Sequence, residues 1–398
     1  MFRFWIILNI VVWPITAMAQ IPVNDITLHD QILPSAATDG EYVYIAFQDG
    51  STFQYDARVT VSADGGMSFG PSILPYNPNE EDQEMPDLAV GPDGALYIVW
   101  ADWRSRSDYD IYLAASLDHG QTFSPPLRVN AETRSTQVEP SVAVGSDGVV
   151  YVAWADNRRT TAEDSGVRWD VFAAISDDGG ESFYGETALN NQDEYFAIFP
   201  EVAASAGGAV VTWFDLYPSI RAAVSYDSGQ SWGESIRLDI DNNMLASLPR
   251  IAASENGVVA IAWNDSTDSD AGQDPDIINY CGITLDVYGV ISEDGGATWT
   301  PAFRVNEQPM LDQRNPALSF DGDELLIAWT DDRDVGDFRI RGVAAQPPHA
   351  WFLASRQWDG YESVAVRDWP DLSGRALVWQ DYRDGDWDIR FAWIGNEP

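Results

Sequence analysis

Four side chains in this 398-residue chain break an otherwise regular pattern, and their types could do chemistry: Glu84, Glu139, Arg250 and Arg314. A carboxyl pair beside arginines can run glycoside hydrolysis when one acid is protonated and the other ionised. The same four residues would equally make a solvated, charged channel mouth. A second set repeats. The pattern W-x-D-x-R joins Asp102 to Arg104, Asp156 to Arg158, Asp331 to Arg333 and Asp381 to Arg383. An Arg beside a carboxylate can make bidentate hydrogen bonds that fasten a loop. Alternatively, the acids form a ring fit for Ca²⁺ or for sugar hydroxyls. A further acid often opens the next strand: Asp110, Asp170, Asp286 and Asp388. Trp103, Tyr109, Trp169, Tyr217, Tyr382 and Trp387 flank these loops, placed either to stack on sugar rings or to pack between sheets. His29, His119 and His349 are scattered and suggest neither a zinc site nor a triad.

The elements that must position these residues are set by an octet, S-x-D-x-G-x-[ST]-[FW]. It spans Ser62 to Phe69, Ser116 to Phe123, Ser176 to Phe183, Ser225 to Trp232 and Ser292 to Trp299. An Asp followed by Gly is turn chemistry, because the carboxylate accepts nearby N–H groups and Gly supplies positive φ. The closing Phe or Trp plugs the turn into the apolar layer below. Asp64, Asp118, Asp178, Asp227 and Asp294 are therefore expected to be structural.

A longer repeat surrounds the octet. Each unit opens with Pro and a short strand, then a second strand ending in an aromatic residue with Asp two places on. The aromatic positions are Phe47, Trp100, Trp154, Trp213, Trp263, Trp329 and Trp379, which makes seven units. A small residue recurs three places after the Pro, at Ala37, Ala89, Ala143, Ala203, Ala252 and Ser319. The seventh unit reads as lacking the Pro, with Ala365 in the small-residue place. Units six and seven lack the octet, and unit seven ends after its third strand. Ile21-Pro22-Val23-Asn24 matches Leu127-Arg128-Val129-Asn130, the fourth strand of unit two. The pattern predicts an all-β, seven-bladed β-propeller of four-stranded antiparallel blades, closed by the N-terminal strand.

The octets resemble the Asp-box, or BNR repeat, of bacterial neuraminidases and related secreted propellers, over nearly the whole chain. The resemblance implies boxes at the rim between third and fourth strands, away from the ligand site. It also implies a sialidase-like scaffold, on which sialidases use three arginines, a Tyr nucleophile paired with a Glu, and an Asp acid/base. The chain departs from sialidases in having seven units rather than six. Gln20 also precedes Ile21-Pro22, where those enzymes have an Arg-Ile-Pro motif.

Residues 1–19 read as a signal peptide, with Arg3, an apolar run from Phe4 to Trp13 and Ala17-Met18-Ala19 before the cut. Residues 20–398 then form one domain, secreted or periplasmic. All 22 basic side chains are Arg, against 63 Asp and Glu, for a net charge of −41. Such a surface argues against nucleic acid and anionic membranes, and no other run is long enough to insert in a bilayer. Cys281 stands alone, so no intramolecular disulfide forms. The expectation is a monomer that binds an extracellular glycan or protein ligand on its loop face, without catalysis. No cofactor is required, and Ca²⁺ is the one that the acids leave open. The alternative is a sialidase-like exo-glycosidase or a polysaccharide lyase.

Overall fold

The computed structural model describes residues 20–394 without 26–28, 52–53, 77–80, 162–163, 165, 192–195, 206, 216–218, 241–244, 267–283, 308–310, 334–337, 348–355, 358–366 and 383–385. Ala365, Arg383, Tyr217, Cys281 and His349 lie outside the described residues. Those described form strands and turns, with no helix, and so none long and apolar enough to cross a membrane. Seven antiparallel sheets follow one another, each built outward from its first strand. The innermost strands are Gln31–Thr38, Gln83–Val90, Gln137–Val144, Ala197–Ser205, Ala246–Ala253, Gln313–Asp321 and Arg367–Ser373. Each packs on the next and the last returns to the first, so the blades close into a propeller around an axial channel. Six blades have four strands. The first has three among the described residues, with a Val59–Ile73 bridge at its outer edge.

Second strands such as Leu96–Asp102, Val150–Asp156 and Val259–Asp265 are buried at every position, because neighbouring blades cover both faces. That is why they read as continuous apolar runs rather than alternating ones. Trp100 lies fully buried against Tyr44 and Ala46 of the preceding blade, and the other five repeat tryptophans are equally enclosed.

The ring closes as the sequence match implies. Ile21 and Pro22 pair with Phe391 and Arg390. Asn24 donates to Asp388 at 2.8 Å and to Gln31 at 3.0 Å, and accepts the Ile389 N–H at 3.0 Å. Asn130 makes the same set with Asp110 (2.7 Å), Gln137 (2.9 Å) and the Ile111 N–H (2.8 Å). The asparagine that ends each such outer strand thus ties the third strand to the start of the next blade.

The octets form the turns between third and fourth strands, at the face where the inner strands end. Ser62 donates to Asp64 at 2.7 Å. Asp64 in turn accepts the Ser68 N–H at 2.9 Å and its hydroxyl at 2.6 Å. Gly66 has φ +81°, and a Cβ there would meet the Phe391 ring at 2.4 Å, so no other residue fits. Hydrogen bonds to the ionised form hold the carboxyls of Asp64, Asp118, Asp178 and Asp294 at about 2, and Asp227 is lowered too.

The seventh blade corrects the repeat. Arg367 pairs with Asp381 as Gln83 does with Asp102, so Pro370 is the counterpart of Pro86, and Ser373, not Ala365, takes the small-residue place. Its first hairpin turns early, with Ser373 opposite Ala376, so counting back from Trp379 overshoots.

Candidate functional site

Inner strands begin at the face opposite the octets, and each carries a register shift just before its Pro. At that bulge Leu33, Met85, Glu139, Phe199, Leu248 and Asn315 all hold φ between +51° and +54°. The left-handed region is costly for these side chains, and recurrence in six blades makes it part of the fold. The bulge sets a ring of side chains at the channel mouth. Three bulge N–H groups are taken by the preceding blade's second strand: Met85 by Gln48 (3.1 Å), Asn315 by Asn264 (2.7 Å) and Leu33 by Gln380 (3.3 Å).

Glu139 belongs to this belt. Blade three has Ala155 where a Gln or Asn would serve, and the Glu139 carboxylate accepts the Phe199 N–H at 2.7 Å instead. Burial pushes the carboxyl up to about 7, against that hydrogen bond. Glu84 stands one residue earlier in its own strand and is half-buried at the mouth. It accepts the Tyr109 hydroxyl at 2.5 Å, and the Tyr109 ring packs on Trp103 with centroids 4.7 Å apart. Burial raises the Glu84 carboxyl. It also raises the Tyr109 phenol, and the neighbouring carboxylate adds to that. Arg314 occupies the Glu84 position in blade six, with its guanidinium 4.9 Å from the Phe338 ring centroid.

Arg250 sits deeper, on the residue after Pro. That tier reads Ser35, Asp87, Ser141, Glu201, Arg250, Ala317 and Asp371 around the ring. Its members stitch blade to blade. Ser35 takes the Leu88 N–H (3.1 Å), Asp87 the Val142 N–H (2.8 Å), Ser141 the Val202 N–H (3.2 Å) and Asp371 the Ala36 N–H (2.7 Å). Arg250 ion-pairs with Glu201 and is also attracted by Asp371 and Asp87. Those acids come from blades four, seven and two, so the guanidinium reaches into the lumen. Burial pushes Glu201 to about 7 and Asp371 to about 6, and raises Asp87, while Arg250 opposes each shift. Arg250 and Glu201 still keep 33% and 24% of their side-chain surface open, which is channel water. Beyond this tier, the small residues Ala89, Ala143, Ala203, Ala252, Ser319 and Ser373 line a cavity of about 430 Å³.

Three of the W-x-D-x-R pairs, Asp102–Arg104, Asp156–Arg158 and Asp331–Arg333, form as ion pairs. Arg383 of the fourth lies outside the described residues, and all four acids are turned away from solvent. Asp102, Asp156, Asp331 and Asp381 are fully buried. Asp102 accepts the Trp100 indole at 2.8 Å and both the Arg104 N–H (2.8 Å) and guanidinium (2.6 Å). Asp156 with Arg158 and Asp331 with Arg333 repeat the arrangement, and Trp379 donates to Asp381 at 3.3 Å. Arg104 and Arg158 then sit over the Tyr112 and Phe172 rings, 3.8 and 4.1 Å from their centroids. Asp110 and Asp170 are tied to Asn130 and Asn190. Among the described residues, no group of three or more acids, His or Cys is arranged to hold a metal ion.

Of the four non-repeat residues, Glu84, Glu139 and Arg250 are each held by a different partner. Sequence reasoning passed over Asp87, Glu201 and Asp371. Writing down the residue after every Pro would have found them, once Pro370 was in register. It also passed over Tyr109 as the partner of Glu84, which no spacing rule signals.

No protein-family model and no curated protein matches the chain. Solved structures do. An ulvan lyase of polysaccharide lyase family PL25 aligns over 96% of both chains with a TM-score of 0.61 and 10% identity. The GH93 α-L-arabinofuranosidase of Fusarium graminearum covers 79% of this chain and 93% of its own, at TM-score 0.53 and 14% identity. The Hadza microbial sialidase Hz136 covers 75% of this chain, at TM-score 0.50 and 16% identity, and the match spans 63% of the sialidase. At these identities the likeness establishes the propeller fold.

Proposed function

We propose that the protein is an exported Asp-box propeller, acting as a monomer, that binds a glycan at its channel mouth without cleaving it. The carrying observation is the Glu84–Tyr109–Trp103 group, where a half-buried carboxylate adjoins two packed aromatic rings. Rings offer a flat face to a sugar's C–H groups, and the carboxylate accepts its hydroxyls. The absence of catalysis follows from the separate engagements of the acids. Glu139 holds a backbone N–H, Glu201 holds Arg250, and Asp82, the acid whose charge helps raise the Glu84 carboxyl, accepts the Tyr55 N–H at 3.0 Å, so each acid that could pair with Glu84 for hydrolysis has another engagement. Calorimetric titration of the mature protein against an oligosaccharide panel, with and without Ca²⁺, tests the reading. Binding that weakens about tenfold in Trp103→Ala or Glu84→Gln supports it. A panel with no binder ends it.

A second reading, a sialidase-like hydrolase or a lyase, has one specific support. Tyr109 and Glu84 form a hydrogen-bonded Tyr–Glu pair, and Glu84 has the raised pKa of a proton carrier. Mass spectrometry of the same panel decides it: a new product that vanishes in Glu84→Gln makes the protein an enzyme.

A further inference from the structure

We propose that the ligand is a linear polysaccharide without anionic groups, laid across blades seven, one and two, rather than one terminal sugar seated in the channel. This rests on the glycan reading of the mouth and extends it. The residue just before the third strand is Trp387, Tyr55 and Tyr109 in these three consecutive blades, and Trp169 continues the series in blade three. Trp387 packs on Tyr382 with centroids 5.2 Å apart at 54°, and Tyr109 on Trp103 at 4.7 Å and 54°. The two pairs occupy the same two positions of their blades. Blade one has Gly50 where the partner ring would stand, and Tyr55 lies over it: a Cβ on Gly50 would meet that ring at 3.3 Å. Tyr382 and Tyr55 remain 44% and 40% exposed.

The arc is built rigidly. Asp30 accepts the Trp387 N–H through its carboxylate (3.1 Å) and the Gly50 N–H through its carbonyl (3.0 Å). Asp82 does the same for Tyr55 (3.0 Å) and Trp103 (2.9 Å). Fixed rings lose little freedom on binding. Face-to-face sheets lie about 10 Å apart, so one platform recurs roughly per disaccharide of a β-linked chain. Asp30, Asp82 and Glu84 line the arc of a chain with net charge −41, which repels uronate or sulfate polymers and suits hydroxyl donors.

The test is affinity electrophoresis and calorimetry of the mature protein with glucans, mannans, xylans and galactans, with their di- and hexasaccharides, and with polygalacturonate. The expected result is one neutral polymer whose hexasaccharide binds about tenfold or more tighter than its disaccharide. Tyr55→Ala and Trp387→Ala should each weaken the hexasaccharide about tenfold and leave the disaccharide bound at Trp103–Tyr109. A Tm equal to wild type certifies that the variants fold. Equal affinity for both lengths, preference for polygalacturonate, or full binding by the folded variants overturns the arc and leaves the glycan reading standing. Failure of every glycan takes both down.

Discussion

The octet turns and the channel hold the same kind of side chain in opposite chemical states. Each octet aspartate sits on the outer face in the same cradle, and hydrogen bonds to its ionised form keep four of the five at about 2. The channel acids Glu139, Glu201 and Asp371 sit in three unlike settings, and burial pushes them to about 7, 7 and 6. Hydrogen bonding to the charged form and loss of water act in opposite directions on a carboxyl. Residues that repeat around the ring hold the fold, while positions that vary from blade to blade give the channel and its mouth their chemistry.

The largest expected effect comes from removing the one cation in the channel tier. Arg250→Met leaves Glu201, Asp87 and Asp371 facing one another, and urea unfolding at pH 8 should show a loss of about 3 kcal/mol. That is the low end for a buried pair, because a third of the Arg250 side chain is wet. At pH 5 the acids take up protons and the loss should shrink. A loss independent of pH would break the contrast between the two regions.

The wild-type pH profile sharpens it. Between the ordinary value of 4.5 and about 7, Glu139 and Glu201 bind more protons in the folded than in the unfolded state. Asp371 does so between 3.8 and about 6. Stability should therefore fall as pH rises from 5 to 8, on the order of 2 kcal/mol after allowing for channel water. The octets act in the opposite sense, with stability lost as pH falls from about 4 through 2. The two together place the optimum between about pH 4 and 5.

Asn24→Ala and Asn130→Ala compare the closing strand with an internal one. Each should cost about 2 kcal/mol by stranding an aspartate, a buried glutamine and an N–H. Asn24→Ala should also raise the unfolding rate more, because it frees a chain end. Equal unfolding rates would mean that the closing strand is no weaker than the others. The smallest effect belongs to a single octet: Asp294→Ala should lower Tm by about 2 °C at pH 7 and by clearly less at pH 2.

Much of this could be read from residue order. Five octets, seven aromatic-x-Asp strands and the match of Val23-Asn24 to Val129-Asn130 specified blade number and closure, because each blade must bury the same faces against its neighbours. Three Asp–Arg pairs were legible as pairs, since two residues on one turn meet whatever the fold does. Their burial was not, because it depends on the packing of the neighbouring blade, as where Tyr44 and Ala46 enclose the Trp100 indole that donates to Asp102. Pro370 was lost to a hairpin that turns early, and Asp371 was lost with it.

The sequence alone determined a ring of seven sheets, since local turn chemistry and apolar runs are properties of short segments. Only the tertiary structure decided that Arg250 meets Glu201 beside Asp371 and Asp87, that Tyr109 caps Glu84, and that Asp30 and Asp82 each fasten loops of two neighbouring blades. Those contacts join residues far apart in the chain. Those between blades depend on how the ring closes, which no single segment encodes.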